Sequence, residues 1–300
     1  PVANPTLTVS PGSTNTGGSS GAGLYVQDLV SLSSQWKALL GLRYDSFHQK
    51  VNVATIPSRT DTAWSPRAGL VYQPTGAQSY YVSVSRSFQP AGENFNLTAG
   101  NATTDPQKTT NKEIGAKLDL LGGRATATAA LFNLERTNIM TSDPANPTIS
   151  IPVGTQRTNG LELTLAGDLS GGWRISTGYA YLDAKISRSL NPAVQGKAAT
   201  LTPRNSANIW LTKSLGQGLH AGIGANYVAA RYADSTNTTT IPGYTTVDAM
   251  AAWRVGKLDL QLNVYNLFDR RYIVSAHGSV ANSLLPGAPR SAMLTARYAF

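Results

Sequence analysis

Three hundred residues, 41% of them hydrophobic, are enough for one large or two ordinary domains, and the formal net charge of +9 suits an anionic surface or ligand. There is no cysteine, which excludes disulfides, thiol catalysis and thiolate metal sites, and the basic residues are too scattered to suggest a nucleic-acid partner. No run of about 18 apolar residues occurs, so no membrane-crossing helix is expected; a barrel wall, whose apolar residues alternate with polar ones, is left open.

The chain opens on PVANPTLTVSPGSTNTGGSSGAG, without an initiator Met or an apolar leader core, and residues 1–23 read as a long-loop segment. From there, period-two alternation predicts about thirteen strands. They lie near 24–32, 36–50, 63–73, 79–88, 108–120, 125–139, 156–168, 173–188, 204–214, 218–232, 244–255, 258–272 and 291–300. In SYYVSVSRSF, Tyr80, Val82 and Val84 oppose Tyr81, Ser83 and Ser85. In NGLELTLAG, Leu161, Leu163 and Leu165 oppose Glu162 and Thr164, and in KLDLQLNVYNLF, Leu258, Leu260, Leu262 and Val264 oppose Asp259, Gln261, Asn263 and Tyr265. The face of Trp210 in NSANIWLTK is left undecided by the pattern.

The connections alternate in length. Short Gly- or Pro-containing turns (SSQ, PTGAQ, LLGGR, LSGG, GQG, GK) separate longer polar segments near 51–62, 89–107, 140–155, 189–203, 233–243 and 273–290. Aromatic residues gather at both strand ends: Trp36, Tyr72, Tyr80, Trp173, Trp253, Tyr298 and Phe300 toward the short turns, and Tyr44, Phe88, Tyr181, Tyr232, Tyr244 and Tyr272 toward the long loops. Short–long alternation with two aromatic belts predicts an all-β, transmembrane, antiparallel up-and-down barrel of the bacterial outer membrane. Such barrels have even strand numbers, so about thirteen strands are expected to be an incomplete part of one.

The motifs resemble one family, the TonB-dependent siderophore receptors. WKALLGLRYDSF (36–47), AWSPRAGLVYQP (63–74), YYVSVSRSFQP (80–90) and the hairpin NKEIGAKLDLLGGRATATAALFNLERTNI (111–139) are similar to successive family segments. So are GLELTLAGDLSGGWRISTGYAYLDAKI (160–186), PGYTTVDAMAAW (242–253), NVYNLFDRRY (263–272) and PGAPRSAMLTARYAF (286–300). The resemblance implies a barrel of about 22 strands plugged by a separate N-terminal domain. This chain, 1–300, would supply about its last thirteen strands, with the plug and first strands lying outside it. The implied function is binding of a ferric siderophore outside the cell and its import with energy coupled through TonB, which would contact the absent N-terminal region. Alternatives are TonB-dependent uptake of haem, cobalamin or a glycan, or a passive porin or autotransporter-type barrel.

No catalytic constellation is visible, so no enzyme is expected, and no cofactor or metal site is expected either; the iron chelate is cargo. His48, His220 and His277 are not expected to converge, and Gly122–Gly123 and Gly171–Gly172 read as turns. NLFDRRY and APR (288–290) read as structural. Ligand contacts are expected at the outer mouth, where aromatic and Arg side chains suit a chelate: Phe88, Phe95, Arg231, Tyr232, Tyr244, Tyr272 and His277. Tyr298 and Phe300 resemble the terminal signal read by the barrel-assembly machinery. Expected partners are the siderophore, TonB, that machinery, and outer-membrane lipid including lipopolysaccharide, with no nucleic acid.

Overall fold

A computed structural model describes residues 16–90, 97, 102, 104–142, 150–276 and 283–300, with side chains 140–142 and 150–153 outside the description. The first ten strands follow one another in the chain: β1 (Gly17–Ser31), β2 (Trp36–Val51), β3 (Arg59–Thr75), β4 (Gln78–Gln89), β5 (Gln107–Leu120), β6 (Ala125–Ser142), β7 (Ser150–Asp168), β8 (Trp173–Arg188), β9 (Asn205–Gly216) and β10 (Leu219–Val228). After them come β11 (Arg231–Tyr232), β12 (Thr240–Ile241), β13 (Tyr244–Val255), β14 (Leu258–Tyr265), β15 (Ile273–Ala276), β16 (Leu284–Pro286) and β17 (Ser291–Tyr298). Thirteen of these form one antiparallel sheet in the order β1 to β10, β13, β14, β17. β11–β12 and β15–β16 are small separate hairpins inside the last two long connections. β1 and β17 are the two edges of the sheet, which does not close on itself.

The ladder turns the period-two pattern into two faces. One row runs Val82, Ile114, Leu131, Leu161, Tyr181, each residue directly opposite the next. The neighbouring row runs Tyr80, Ala116, Ala129, Leu163, Tyr179, and at the other end of the sheet Leu262 lies opposite Leu294. Most of these side chains stay exposed, Ile114 and Leu131 at 56% each and Leu294 at 70%, and the others are half-buried. The few buried apolar residues, such as Val194, Ala199, Ala233 and Ile241, lie mainly in the long connections. Accessible area is 19001 Å², against about 12,000 Å² expected for a compact soluble chain of this mass. The apolar face therefore presents the surface that a wall facing lipid needs, in place of a conventional core.

Two aromatic clusters bracket this face. Trp36 and Tyr72 (ring centroids 4.7 Å apart), with Tyr80 beyond Tyr72, sit at the short-turn end. Tyr44 and Trp64 (4.9 Å) sit toward the long-loop end. Such belts are what two membrane–water interfaces select.

The opposite face is polar, with hydrogen bonds from Tyr81 Oη to Glu113 Oε1 (2.5 Å) and from Arg67 Nη1 to Gln27 Oε1 (3.0 Å). Three rings on it lie over glycines. Tyr81 is opposite Gly115, Phe132 opposite Gly160 and Trp210 opposite Gly224, and a Cβ on any of these glycines would collide with the ring. Trp210, undecided from the pattern, thus belongs to the polar face, where the missing Cβ of Gly224 makes its room.

Several strand boundaries differ from expectation: β3 begins at Arg59 and β7 at Ser150, inside segments read as long loops, where β2 and β6 extend to pair with them. Residues 17–23, read as loop, are the first part of β1, because Val51 to Asp45 of β2 supply them with a complete ladder. The strand expected to run to 232 stops at Val228, where its partner β13 begins at Tyr244. The strand expected to run to 272 stops at Tyr265, because Asn266 takes a positive φ of 48° and breaks the pleat. At the short-turn end the chain reverses tightly, as at Gly171–Gly172, whose φ values of 66° and 76° suit glycine.

Candidate functional site

The densest polar construction outside the sheet is at the long-loop end, where the last three long connections are tied together. Asn266 starts it. Buried to 4% exposure, it donates its backbone N–H to Asp248 Oδ1 (2.7 Å) and its Nδ2 to the carbonyls of Arg270 and Ala288 (3.0 Å each). Its Oδ1 accepts from Arg270 N (2.9 Å). Asp269, at φ 52°, accepts from Arg290 N through Oδ1 (2.9 Å). The NLFDRRY and APR segments therefore clasp each other, the structural role read from the sequence.

Arg231 joins the next pair of connections. Its guanidinium, 5% exposed, donates through Nη2 to the carbonyls of Ile273 (3.0 Å) and Val274 and lies 5.7 Å from the centroid of the Tyr244 ring. Tyr244 in turn packs on Tyr272 (centroids 4.3 Å apart), and Gly287 leaves the space that the Tyr272 ring fills. Burial, reinforced by Tyr244 and Asp248, pushes the Tyr272 phenol above its ordinary pKa, so it stays protonated at neutral pH. Nη1 of Arg231 is buried with no hydrogen-bond partner among the described residues.

Asn237 ties the third connection. Its side chain donates to Ala198 O (3.0 Å) and accepts from Ala198 N (2.8 Å), while Tyr232 O accepts from Leu201 N (2.8 Å). Asp234 shapes this loop by accepting from Thr236 Oγ1 (2.6 Å), Thr238 N (3.0 Å) and Thr239 N (2.6 Å). Those hydrogen bonds hold its carboxyl far below the usual carboxylate range.

Two cavities open beside these ties. One, of about 370 Å³, is lined by Asp183, Lys197, Arg204, Arg231, Tyr232 and Asn237. The other, of about 560 Å³, is lined by Arg270, Arg271, Tyr272 and Pro289 among others. Cationic and aromatic groups at the mouth of a polar-lined wall can take an anionic, ring-bearing solute.

Of the expected contacts, Arg231, Tyr244 and Tyr272 are brought into one stack, and Tyr232 lines the same cavity as Arg231. Tyr232 and Tyr272 lie in the loops rather than on the wall. Phe88 stands apart, on β4 with the alternation of Val82 and Val84, the apolar face. Phe95 and His277 fall outside the described residues. His48 Nδ1 lies 3.0 Å from Thr60 Oγ1, and no group of three or more His, Asp or Glu converges among the described residues. Tyr298 and Phe300 pack edge to face (5.4 Å) at the short-turn end. Sequence reasoning passed over Asn237 and Asp234, whose only signal was an Asp and an Asn in a Thr-rich loop, the chemistry of side chains that bond their own backbone.

Over residues 1–267 the chain matches the family described as TonB dependent receptor-like, beta-barrel. It is 35% identical over 283 residues to the metal-pseudopaline receptor CntO of Pseudomonas aeruginosa, covering 89% of this chain and 39% of that protein. To the probable TonB-dependent siderophore receptor PiuA of Acinetobacter baumannii it is 33% identical over 302 residues (92% and 40%). To the ferrioxamine B receptor of Salmonella typhimurium it is 35% identical over 298 residues (93% and 40%). The crystal structure of PiuA superposes with a TM-score of 0.84 at 30% identity, over 95% of this chain and 44% of that one. The closed form of the ferric-catecholate import receptor Fiu of Escherichia coli superposes at 0.82 and 26%, over 95% and 45%. The chain spans about two fifths of the length of the curated relatives it matches.

Proposed function

The chain belongs to the TonB-dependent receptor β-barrel family, and from that premise we propose that it forms the wall and outer mouth of a receptor importing a ferric siderophore with TonB-coupled energy. The family places the barrel in the outer membrane of a Gram-negative bacterium, with the apolar face toward lipid and the polar face toward the lumen. The named relatives are receptors, one a probable siderophore receptor by name, one a receptor for ferrioxamine B and one for metal-pseudopaline. The observation that carries the reading is the rim tied by buried Arg231, where exposed Lys197 and Arg204 offer cations and the Tyr244–Tyr272 pair offers ring faces to an anionic, aromatic or hydroxamate-bearing chelate. The iron leaves with its chelator, so it is cargo rather than a resident group.

The test is growth of a strain lacking the gene on single iron–chelator sources, complemented by the full-length receptor or by Arg231→Gln and Tyr272→Ala. Loss of growth on one ferric siderophore, restored by the wild-type gene and weakened by the variants at matched outer-membrane level, supports the reading. Normal growth on every ferric siderophore, with loss on haem, cobalamin or a glycan, replaces it. TonB as partner is tested by the same growth in a strain lacking TonB. Recognition of Tyr298 and Phe300 by the assembly machinery is tested by Phe300→Ala, which on this reading lowers the amount of heat-modifiable receptor in the outer membrane.

A further inference from the structure

On the lipid-facing side the apolar band ends abruptly toward the outer end of β4 and β5. The row Val82–Ile114–Leu131 is followed by Val84–Lys112–Asn133–Asn159–Asp183, then by Arg86–Thr110–Glu135–Arg157–Lys185. Phe88–Lys108–Thr137 comes next. Arg86 faces Thr110, with Lys108 and Lys112 two residues to either side, so Arg86 is diagonal to each lysine at about 7–8 Å between origins, the two lysines lying about 13 Å apart along β5. All three are exposed.

The acids on this face are engaged elsewhere. Glu135 pairs with Arg157 (2.5 Å), and Asp183 with Lys185 (2.9 Å) and Arg204 (3.2 Å). Among the described residues Arg86, Lys108 and Lys112 have no ion pair or hydrogen bond through their side chains. Like charges at adjacent ladder positions repel, and at a membrane surface an anion between them removes that cost. Directly below, a groove of about 870 Å³ crosses these strands. Its lining comes mainly from lipid-facing positions, Leu70, Val82, Val84, Lys112, Ile114 and Leu131 among them.

We propose that Arg86, Lys108 and Lys112 form a binding site for the phosphate groups of an acylated glycolipid of the outer leaflet, the lipid A portion of lipopolysaccharide, whose acyl chains lie on the apolar strip below. Charge and placement select this occupant. A phosphate headgroup sits where the apolar band ends, a hydrocarbon chain continues down the wall, and Thr110 offers a hydroxyl at the centre of the three cations. The inference rests on the outer-membrane placement of the barrel and not on which solute it imports, so it fails or stands independently of the iron-growth test.

The full-length receptor, purified in detergent, is titrated with bisphosphorylated and fully dephosphorylated lipid A and read by native mass spectrometry. The triple variant Arg86→Gln/Lys108→Gln/Lys112→Gln is expected to bind the bisphosphorylated lipid about 150-fold more weakly, from about 1 kcal/mol per cation near an anionic surface. It should bind the dephosphorylated lipid as wild type does, and Lys117→Gln, which removes a cation from the lumen face, should change neither. Equal binding of the two lipids by wild type, or an unchanged affinity in the triple variant, overturns the proposal. So does displacement of the bound lipid by an equal concentration of inorganic phosphate. Should the triple variant lose its heat-modifiable band, Lys112→Gln alone is measured; a loss confined to the phosphorylated lipid supports the site, and no loss refutes it.

Discussion

Replacing Arg231 with Ala removes the one side chain that, among the described residues, ties the β11–β12 hairpin to β15 by hydrogen bonds. Two charge-assisted hydrogen bonds to the carbonyls of Ile273 and Val274 are lost, each about 1.5–3 kcal/mol in buried settings, with a cation–π contact to Tyr244 of about 1 kcal/mol. Relief of the guanidinium's desolvation cost, and water reaching the freed carbonyls, offset much of that sum. A net local cost of about 2–3 kcal/mol remains, equivalent to about 30- to 150-fold in the opening equilibrium of the hairpin. Hydrogen exchange of the full-length receptor reads this directly. Protection at Ile273–Ala276 and at Leu284 and Leu285 should fall by that factor, while the β13–β14 ladder keeps its protection. Arg231→Lys, which keeps the charge but cannot span two carbonyls while covering a ring, should fall between. Unchanged protection in Arg231→Ala, or full protection in Arg231→Lys, would refute the view that the guanidinium fork closes the rim.

Three further outcomes follow from the same geometry. Asn266→Ala should lower the thermal midpoint of the heat-modifiable band by removing about 2–4 kcal/mol, and Asn266→Gly should recover only the part due to the positive φ. Gly224→Ala should destabilise by about 1–3 kcal/mol in denaturant titration, and a Trp210→Ala background should relieve the part due to the ring, leaving the part due to the Ile209 carbonyl oxygen 2.9 Å from the added Cβ. The Asp234 carboxyl has a depressed folded pKa, so its contribution is complete above the unfolded value of about 4 and is lost as pH falls below it. Protection factors in residues 229–243, corrected for the intrinsic pH dependence of exchange, should therefore fall from pH 4 downward in the wild type, and Asp234→Asn should show the lower protection already at pH 6 with little further change.

The wall was legible because its physics is local. Alternation at Val82, Val84, Ile114 and Leu131 needs only the pleat, and each of the thirteen expected strands has a counterpart in the sheet. What stayed hidden depends on partners distant in the chain. Trp210 could be placed only once Gly224 stood opposite it. NVYNLFDRRY reads as one strand until Asn266 finds Asp248 and Ala288, which pull the backbone out of the pleat. Among the rim residues, Arg231 and Tyr272 announced themselves as side-chain types suited to a chelate. Their stacking through Tyr244 and their carbonyl ties came from the meeting of two loops. The lipid-facing cations at Arg86, Lys108 and Lys112 were plain in the sequence as charges, but which face they shared required the ladder.

The glycines beneath Tyr81, Phe132 and Trp210 shape the polar face in a different way. Each ring reclines along the inner wall because nothing stands beneath it. A methyl group at Gly115, Gly160 or Gly224 would force the ring above it to shift away from the sheet. The clearance over the polar face is thus set by positions that have no side chain, and it could be narrowed there without altering any of the rings.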